Sequence, residues 1–236
     1  MKVGIVLKKK EYKFSKGEDE NKNKKLVNIV GCILSLVAGW VNAVGLNLFI
    51  NDSPAFLSGR GLMLGYSALK GDLFTFLSVG LIVLSFIVGA VISTKLTRSK
   101  GLGGGLFLTG ILITIAALPI TLRNVIFDTI IISMDMGAQN AATSLTKINR
   151  TTHLTGPATD IGIYIASRNW EKAIFWTLRW ISFPIGAMLG FIFVELHNSK
   201  NISLSITLFL PAVILLVLSA MQKTKLSIPL LEDEIL

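Results

Sequence analysis

Leu57–Gly65 reads LSGRGLMLG and Leu154–Gly162 reads LTGPATDIG, a shift of 97 positions that keeps a leucine, a small hydroxyl residue and two glycines in register. The flanks repeat as well. Upstream, GWVNA (Gly39–Ala43) returns as GAQNA (Gly137–Ala141); downstream, FIVGA (Phe86–Ala90) returns as FPIGA (Phe183–Ala187), with offsets of 98 and 97. Three landmarks in one order imply an internal duplication. A duplicated and strongly apolar chain is a common architecture of membrane transporters.

The surrounding composition agrees with that reading. With 52% hydrophobic and 16% charged residues and a mean hydropathy of +0.66, the chain has too little polar surface to cover a soluble globule. Its apolar residues fall in blocks: Leu26–Ile50, Leu73–Thr94, Leu102–Leu122, Val125–Leu145, Ala173–Val194 and Ile202–Met221. Each supplies about the 20 residues that cross a hydrocarbon core about 30 Å thick, and in lipid a crossing segment must close its own hydrogen bonds. The expectation is an all-α membrane protein with six transmembrane helices.

The net charge of +9 does not point to nucleic acid. Nine lysines lie within the first 25 residues, mixed with Glu11, Glu18, Asp19 and Glu20 and placed directly before the first apolar block. Residues 1–25 therefore read as a disordered basic cytoplasmic tail that sets topology, followed by membrane repeats at 26–122 and 123–222 and a cytoplasmic C-terminal tail at 223–236. The first apolar run is too long for a secretory signal and leads straight into further spans. Cys32 is the only cysteine, so neither an internal disulfide nor a metal site is expected, and no cofactor is implied.

The repeated motif occupies segments too short to cross. As helices, Leu57–Leu69 and Pro157–Ser167 would reach only about 20 and 16 Å. If both turn back on the side they entered, Lys95, Arg98, Lys100, Lys147, Arg150, Arg168 and Lys172 face the cytoplasm, and Lys70, Arg123 and Lys200 face outward. If both cross, Lys95, Arg98, Lys100, Lys147 and Arg150 join Lys200 outside, against the positive-inside tendency. Two short re-entrant half-helices are preferred. Three crossings per half then make the second repeat inverted relative to the first, with both termini cytoplasmic.

In the second copy, Thr155 or Thr152 can cap a helix, Gly156 permits a turn and Pro157 fits the first helical turn. The N–H groups freed there can hold an anionic group or water. The first copy keeps Ser58 and Gly59 but has Phe56 in place of His153 and Arg60 in place of Pro157, so the two mouths are chemically unequal. Asp160 lies seven residues after His153, on the same face if the helix extends back that far, where the two could relay a proton. Asp135, with Gln139 and Asn140 one turn on, forms a polar patch inside a span, and Asn42 is its first-half counterpart. Arg179 needs a partner inside the membrane, and Asp135 or Asp160 is the expected one. Gly61/Gly65 and Gly186/Gly190 have the spacing that lets helices approach closely, whereas Gly101, Gly103, Gly104 and Gly105 read as a loop.

At these residues the chain resembles the YoaK-type family of bacterial inner-membrane proteins. The family pattern is matched by AGWVNAVG from Ala38, FLSGR from Phe56, GAQNA from Gly137 and TTHLTGPATDIG from Thr151. The likeness runs from about Val27 to Met221. It implies a multi-pass protein of the bacterial cytoplasmic membrane whose activity is not established, sometimes read as a transporter. Asn42 stands where the family commonly has an acidic residue, and Phe56 and Arg60 replace a polar pair, which weakens any proton-coupling role for the first half.

The leading expectation is a small-molecule or ion transporter with its pathway between the repeats. The alternative is a non-transporting membrane scaffold or regulatory protein. An enzyme is not expected, because no Gly-x-Ser-x-Gly elbow, His-Glu-x-x-His pair or Cys/His nucleophile arrangement is present. Membrane lipid, an unknown small molecule or ion, and a second copy in a homo-oligomer are the expected partners.

Overall fold

The computed structural model describes residues 18–47, 55–118, 125–222 and 226–231. Its helices are α1 (Glu18–Gly45), α2 (Leu57–Lys70), α3 (Leu73–Lys100), α4 (Leu102–Ala116), α5 (Val125–Ser144), α6 (Thr155–Ala166), α7 (Trp170–Asn198) and α8 (Leu204–Met221). No strand occurs among the described residues. A single antiparallel bridge joins Thr146 to Leu230, and the chain after α8 packs back on the α5–α6 loop, with Leu226 and Ile228 buried. The tail expected at residues 1–25 falls mostly outside the described residues.

Three helices carry windows long and apolar enough to cross a membrane: Asn23–Gly45 of α1, all of α3 and all of α7. The shorter α4 and α8 are apolar, and α5 carries Asp128 and Asp135 within 20 residues. These apolar helices are compatible with a membrane protein. Their packing has the matching sense. On α3 the buried face is Val79, Ile82, Ser85, Gly89, Ser93 and Thr97, whereas Leu77, Leu81, Leu84, Val88 and Val91 form an exposed stripe at alternating spacings of four and three. On α7, Gly186 and Gly190 face inward while Ile181, Ile185, Met188 and Ile192 face outward. Small residues inside and large apolar residues outside invert the soluble pattern and suit a lipid surround.

The helices pair across the halves. The first helix of the first half, α1, lies on α7, the third helix of the second half, and reciprocally α5 lies on α3. A side chain on Gly39 would overlap the carbonyl of Phe183, and one on Gly186 would overlap the carbonyl of Leu36. In the other pair, Gly137 meets the Phe86 carbonyl and Gly89 meets the Met134 carbonyl. Every one of these positions maps to its counterpart by 97 or 98. The duplicated GWVNA/GAQNA and FIVGA/FPIGA segments are thus the two halves of one contact, made twice, and the glycines stand where backbone approaches backbone.

The corners before α3 and α7 are also duplicated. Gly71 and Arg168 each adopt a left-handed conformation, with φ of 69° and 56°. The next residues, Asp72 and Asn169, each donate a main-chain N–H to a carbonyl five residues back, Ser67 and Tyr164, at 2.9 and 2.8 Å. Each then caps the following helix, accepting from Thr75 N–H at 3.0 Å and Lys172 N–H at 3.2 Å. So α2 folds back against α3 and α6 against α7 in the same manner.

Two glycine expectations are corrected. Nothing lies within 4 Å of a Cβ placed on Gly61 or Gly65, because both sit on the outer face of α2; of the two spaced pairs, Gly186 and Gly190 alone make close helix contacts. Gly103, Gly104 and Gly105 are not a loop. They open α4 and let it press against α8, α3 and α5, leaving Gly101, with φ of 74°, as the connector.

Candidate functional site

A column of polar residues runs down the buried side of α5. Asp128, Asp135, Gln139 and Thr143 recur at spacings of seven, four and four, which keeps them on one side of a helix, and each is fully buried. Gln139 Nε2 donates to the Leu34 carbonyl on α1 at 2.8 Å and to Thr151 Oγ1 at 3.1 Å. Thr143 Oγ1 lies 3.3 Å from Thr151 Oγ1 and donates to the Gln139 carbonyl at 3.0 Å. This ties the α5–α6 loop to the centre of the bundle. Among the described residues, nothing donates to either carboxylate oxygen of Asp135 or to Gln139 Oε1. Such groups are costly to bury, at about 1–3 kcal/mol each and more when charged, and they concentrate where function requires them.

Asn42 does the corresponding work in the first half. Its Nδ2 donates to the Ala38 carbonyl at 2.8 Å and approaches Met136 Sδ at 3.2 Å, and its Oδ1 accepts the Ala55 N–H at 3.1 Å. The chain leading into α2 is thereby anchored to α1. Asn140, the positional counterpart, has an Oδ1 with no such donor among the described residues. On α2, Arg60 is only 2% exposed, Ser58 is exposed and Gly59 is covered by the Phe56 ring.

The second motif is placed less as the sequence suggests. The α6 helix begins at Thr155, so His153 precedes it and the seven-residue helical register with Asp160 does not exist. No hydrogen bond joins His153 to Asp160 among the described residues. Neither threonine caps α6: Leu154 occupies the cap position with no side-chain bond, Thr155 is exposed, and Thr152 is turned inward at 1% exposure. Pro157 does lie in the first turn and is buried. His153 and Arg150 both approach Gly156, at 3.4 Å (Nε2) and 3.7 Å (Nη1) from where its Cβ would stand. Partial burial, and then the Arg150 charge, hold the His153 imidazole below its usual range.

Arg179 departs furthest from expectation. Neither Asp135 nor Asp160 partners it. Its guanidinium donates to the Val27 carbonyl at 3.2 Å, the Phe175 carbonyl at 3.1 Å and Asn28 Oδ1 at 3.5 Å, and it stacks 3.5 Å from the Phe175 ring centroid. Gly31 leaves room for it on α1. A cation desolvated over an aromatic face gains about 2 kcal/mol, which takes the place of a carboxylate. Arg179 is thus a fastener between the N-terminal halves of α1 and α7, which the exposed Lys24–Glu171 ion pair at 3.4 Å also joins.

The candidates therefore separate. Asn42, Asp135 and Asn140 lie on α1 and α5; His153, Thr155 and Gly156 lie at the start of α6, joined to them through Thr151 and Gln139; Arg60 is buried on α2, and Arg179 is held between α1 and α7. Asp128, Gln139, Thr143 and Thr151 complete the buried column. Asp128 carried a sequence signal, namely its place seven residues before Asp135 in an otherwise apolar run. No group of three or more His, Cys, Asp or Glu with metal-binding proximity occurs among the described residues. An apolar groove of about 760 Å³ runs along α7, lined by Pro184, Met188, Phe191 and Ile192, and contains none of the candidates.

No curated protein and no solved structure matches the chain. A family model does, over residues 30–221, which takes in α2 to α8 and the C-terminal part of α1, and the chain belongs to that family, DUF1275, described as a protein of unknown function.

Proposed function

We propose that this chain is a multi-pass protein of the bacterial cytoplasmic membrane that moves a small molecule or ion, without enzymatic chemistry, between two inverted repeats of three crossings each. The direction of the helices supports the inversion. Gly103 meets Ser219 and Gln222, whereas Gly110 meets Leu216, so α4 and α8 run in opposite senses. Likewise Leu34 pairs with Gln139 and Asn42 with Met136, so α1 and α5 oppose each other. Eight crossings would make both pairs parallel. Six crossings make them antiparallel and leave α2 and α6, of 14 and 12 residues, as half-helices reaching about 21 and 18 Å. The YoaK-type resemblance and the loop charges support a cytoplasmic location for both termini.

The observation that carries the transport reading is the buried polar column on α5 at the crossing of the two halves. A protein that only needed to sit in lipid would gain stability by filling that space with leucine, and intramembrane polar residues ordinarily mark a pathway. The test is reconstitution into liposomes with a panel of amino acids, sugars, organic anions and alkali cations. Uptake of one class, reduced at least tenfold by Gln139→Leu, is expected; a folded protein that moves none of the panel contradicts the reading.

A further inference from the structure

Asp135 stands ten residues from one end of α5 and nine from the other, so about 15 Å of helix lies on either side of it. Among the described residues, the elements packed on α5 bring it no countercharge. Helix α4 has no ionisable residue. The buried face of α3 is uncharged, and its Lys95, Arg98 and Lys100 are exposed. Beyond Lys25, the ionisable residue of α1 is Cys32, and the α5–α6 loop turns the neutral Thr151 toward α5 while its Lys147 and Arg150 are exposed and its half-buried His153 approaches Gly156. On α5 itself the other ionisable group is Asp128, two turns away and also acidic.

Gln139, one turn from Asp135, supplies a second observation. Both of its amide donations are to fixed acceptors, the Leu34 carbonyl and Thr151 Oγ1, so its orientation is set and Oε1 is left as an acceptor without a donor among the described residues. Asp135 adds two more such oxygens, fully buried and without a donor among the described residues. Oxygens that can only accept, grouped on neighbouring turns with no donor, are the chemistry that receives a cation.

We propose that Asp135 binds one monovalent cation, a proton or Na⁺, at the midplane, with Gln139 Oε1 as its neighbouring acceptor. One positive charge removes the cost of an ionised carboxylate in an apolar bundle. Its role as coupling ion rests on the transporter reading; its binding does not.

Binding is measured on the full-length protein purified in detergent, as wild type, Asp135→Asn and Gln139→Leu. If the cation is a proton, infrared difference spectra in H₂O and D₂O show a protonated-carboxyl band that Asp135→Asn removes and Gln139→Leu shifts. If it is Na⁺, replacing choline chloride by NaCl raises the Tm by several degrees in the wild type and not in Asp135→Asn. Should Asp135→Asn not fold, Asp135→Glu serves, moving the band or weakening the sodium response. A folded wild type with neither response overturns the proposal. A protein that binds the cation but moves no solute overturns the transport reading alone, and one that moves solute with no cation response at Asp135 overturns the cation site alone.

Discussion

Gly39 of α1 lies directly beneath the carbonyl of Phe183 on α7, and 98 and 97 positions away Gly137 and Phe86 make the same contact between α5 and α3. The contact is backbone against backbone, so no side-chain rotation can make room for a methyl group. Gly39→Ala and Gly137→Ala must separate the helices, at about 1–3 kcal/mol each. Gly61→Ala and Gly65→Ala, facing open space, are expected to be neutral or to gain about 0.5–1 kcal/mol from helix propensity. Thermal unfolding in detergent checks the contrast; equal effects at all four positions would sink it.

The duplicated corners offer a second comparison. Gly71 adopts its left-handed conformation freely, whereas Arg168 holds φ of 56° with a side chain. Arg168→Gly is expected to stabilise by about 1 kcal/mol and Gly71→Ala to destabilise by a similar amount. Opposite shifts in Tm are the outcome to look for, and shifts of the same sign would mean the corners are not equivalent.

Arg179 is bound by carbonyls and a ring, with no carboxylate. Arg179→Ala should therefore destabilise strongly, and Arg179→Lys substantially, since a point charge loses the planar stack. A double-mutant cycle with Asp160→Asn should give a coupling below about 0.5 kcal/mol. A larger coupling would restore the ion pair that the sequence suggested.

His153 gives the chain a pH dependence of known sign. Its imidazole is held below the usual range by partial burial and by Arg150, so the unfolded chain binds the proton more readily than the folded one. Its contribution is present above about pH 6.5, the unfolded value, and is lost as the pH falls toward and through the lowered folded value. The Tm should drop between pH 8 and 5 by an amount that His153→Gln reduces. Arg150→Gln, which removes the like charge, should shrink the drop as well. A wild-type Tm that rises on acidification would contradict the sign.

Much of the helix layout was legible because hydrophobic blocks and a fixed offset of 97 or 98 are one-dimensional signals. The apolar runs from Leu73 and Val125 became α3 and α5, and the paired GWVNA and GAQNA segments became a repeated contact. What sequence spacing could not reach was the end of a helix and the identity of a long-range partner. His153 and Asp160 fit a helical register only if α6 began earlier, and Pro157 with buried Thr151 and Thr152 fixes its start at Thr155. Arg179 invited a carboxylate because charge seeks charge, yet main-chain carbonyls and an aromatic face leave no trace in a residue count. The polar patch at Asp135 was visible, but its depth and its tie to Thr151 required the fold.

Topology decides the central claim, and two loop positions separate the alternatives. In a Cys32→Ser background, single cysteines at Lys70 and Lys100, both exposed, are treated with a membrane-impermeant maleimide on intact bacterial cells and again after permeabilisation. Two inverted three-crossing repeats require Lys70→Cys to label from outside and Lys100→Cys only once the membrane is opened. The reverse pattern would mean that α2 crosses, that the halves are not inverted, and that the account is wrong.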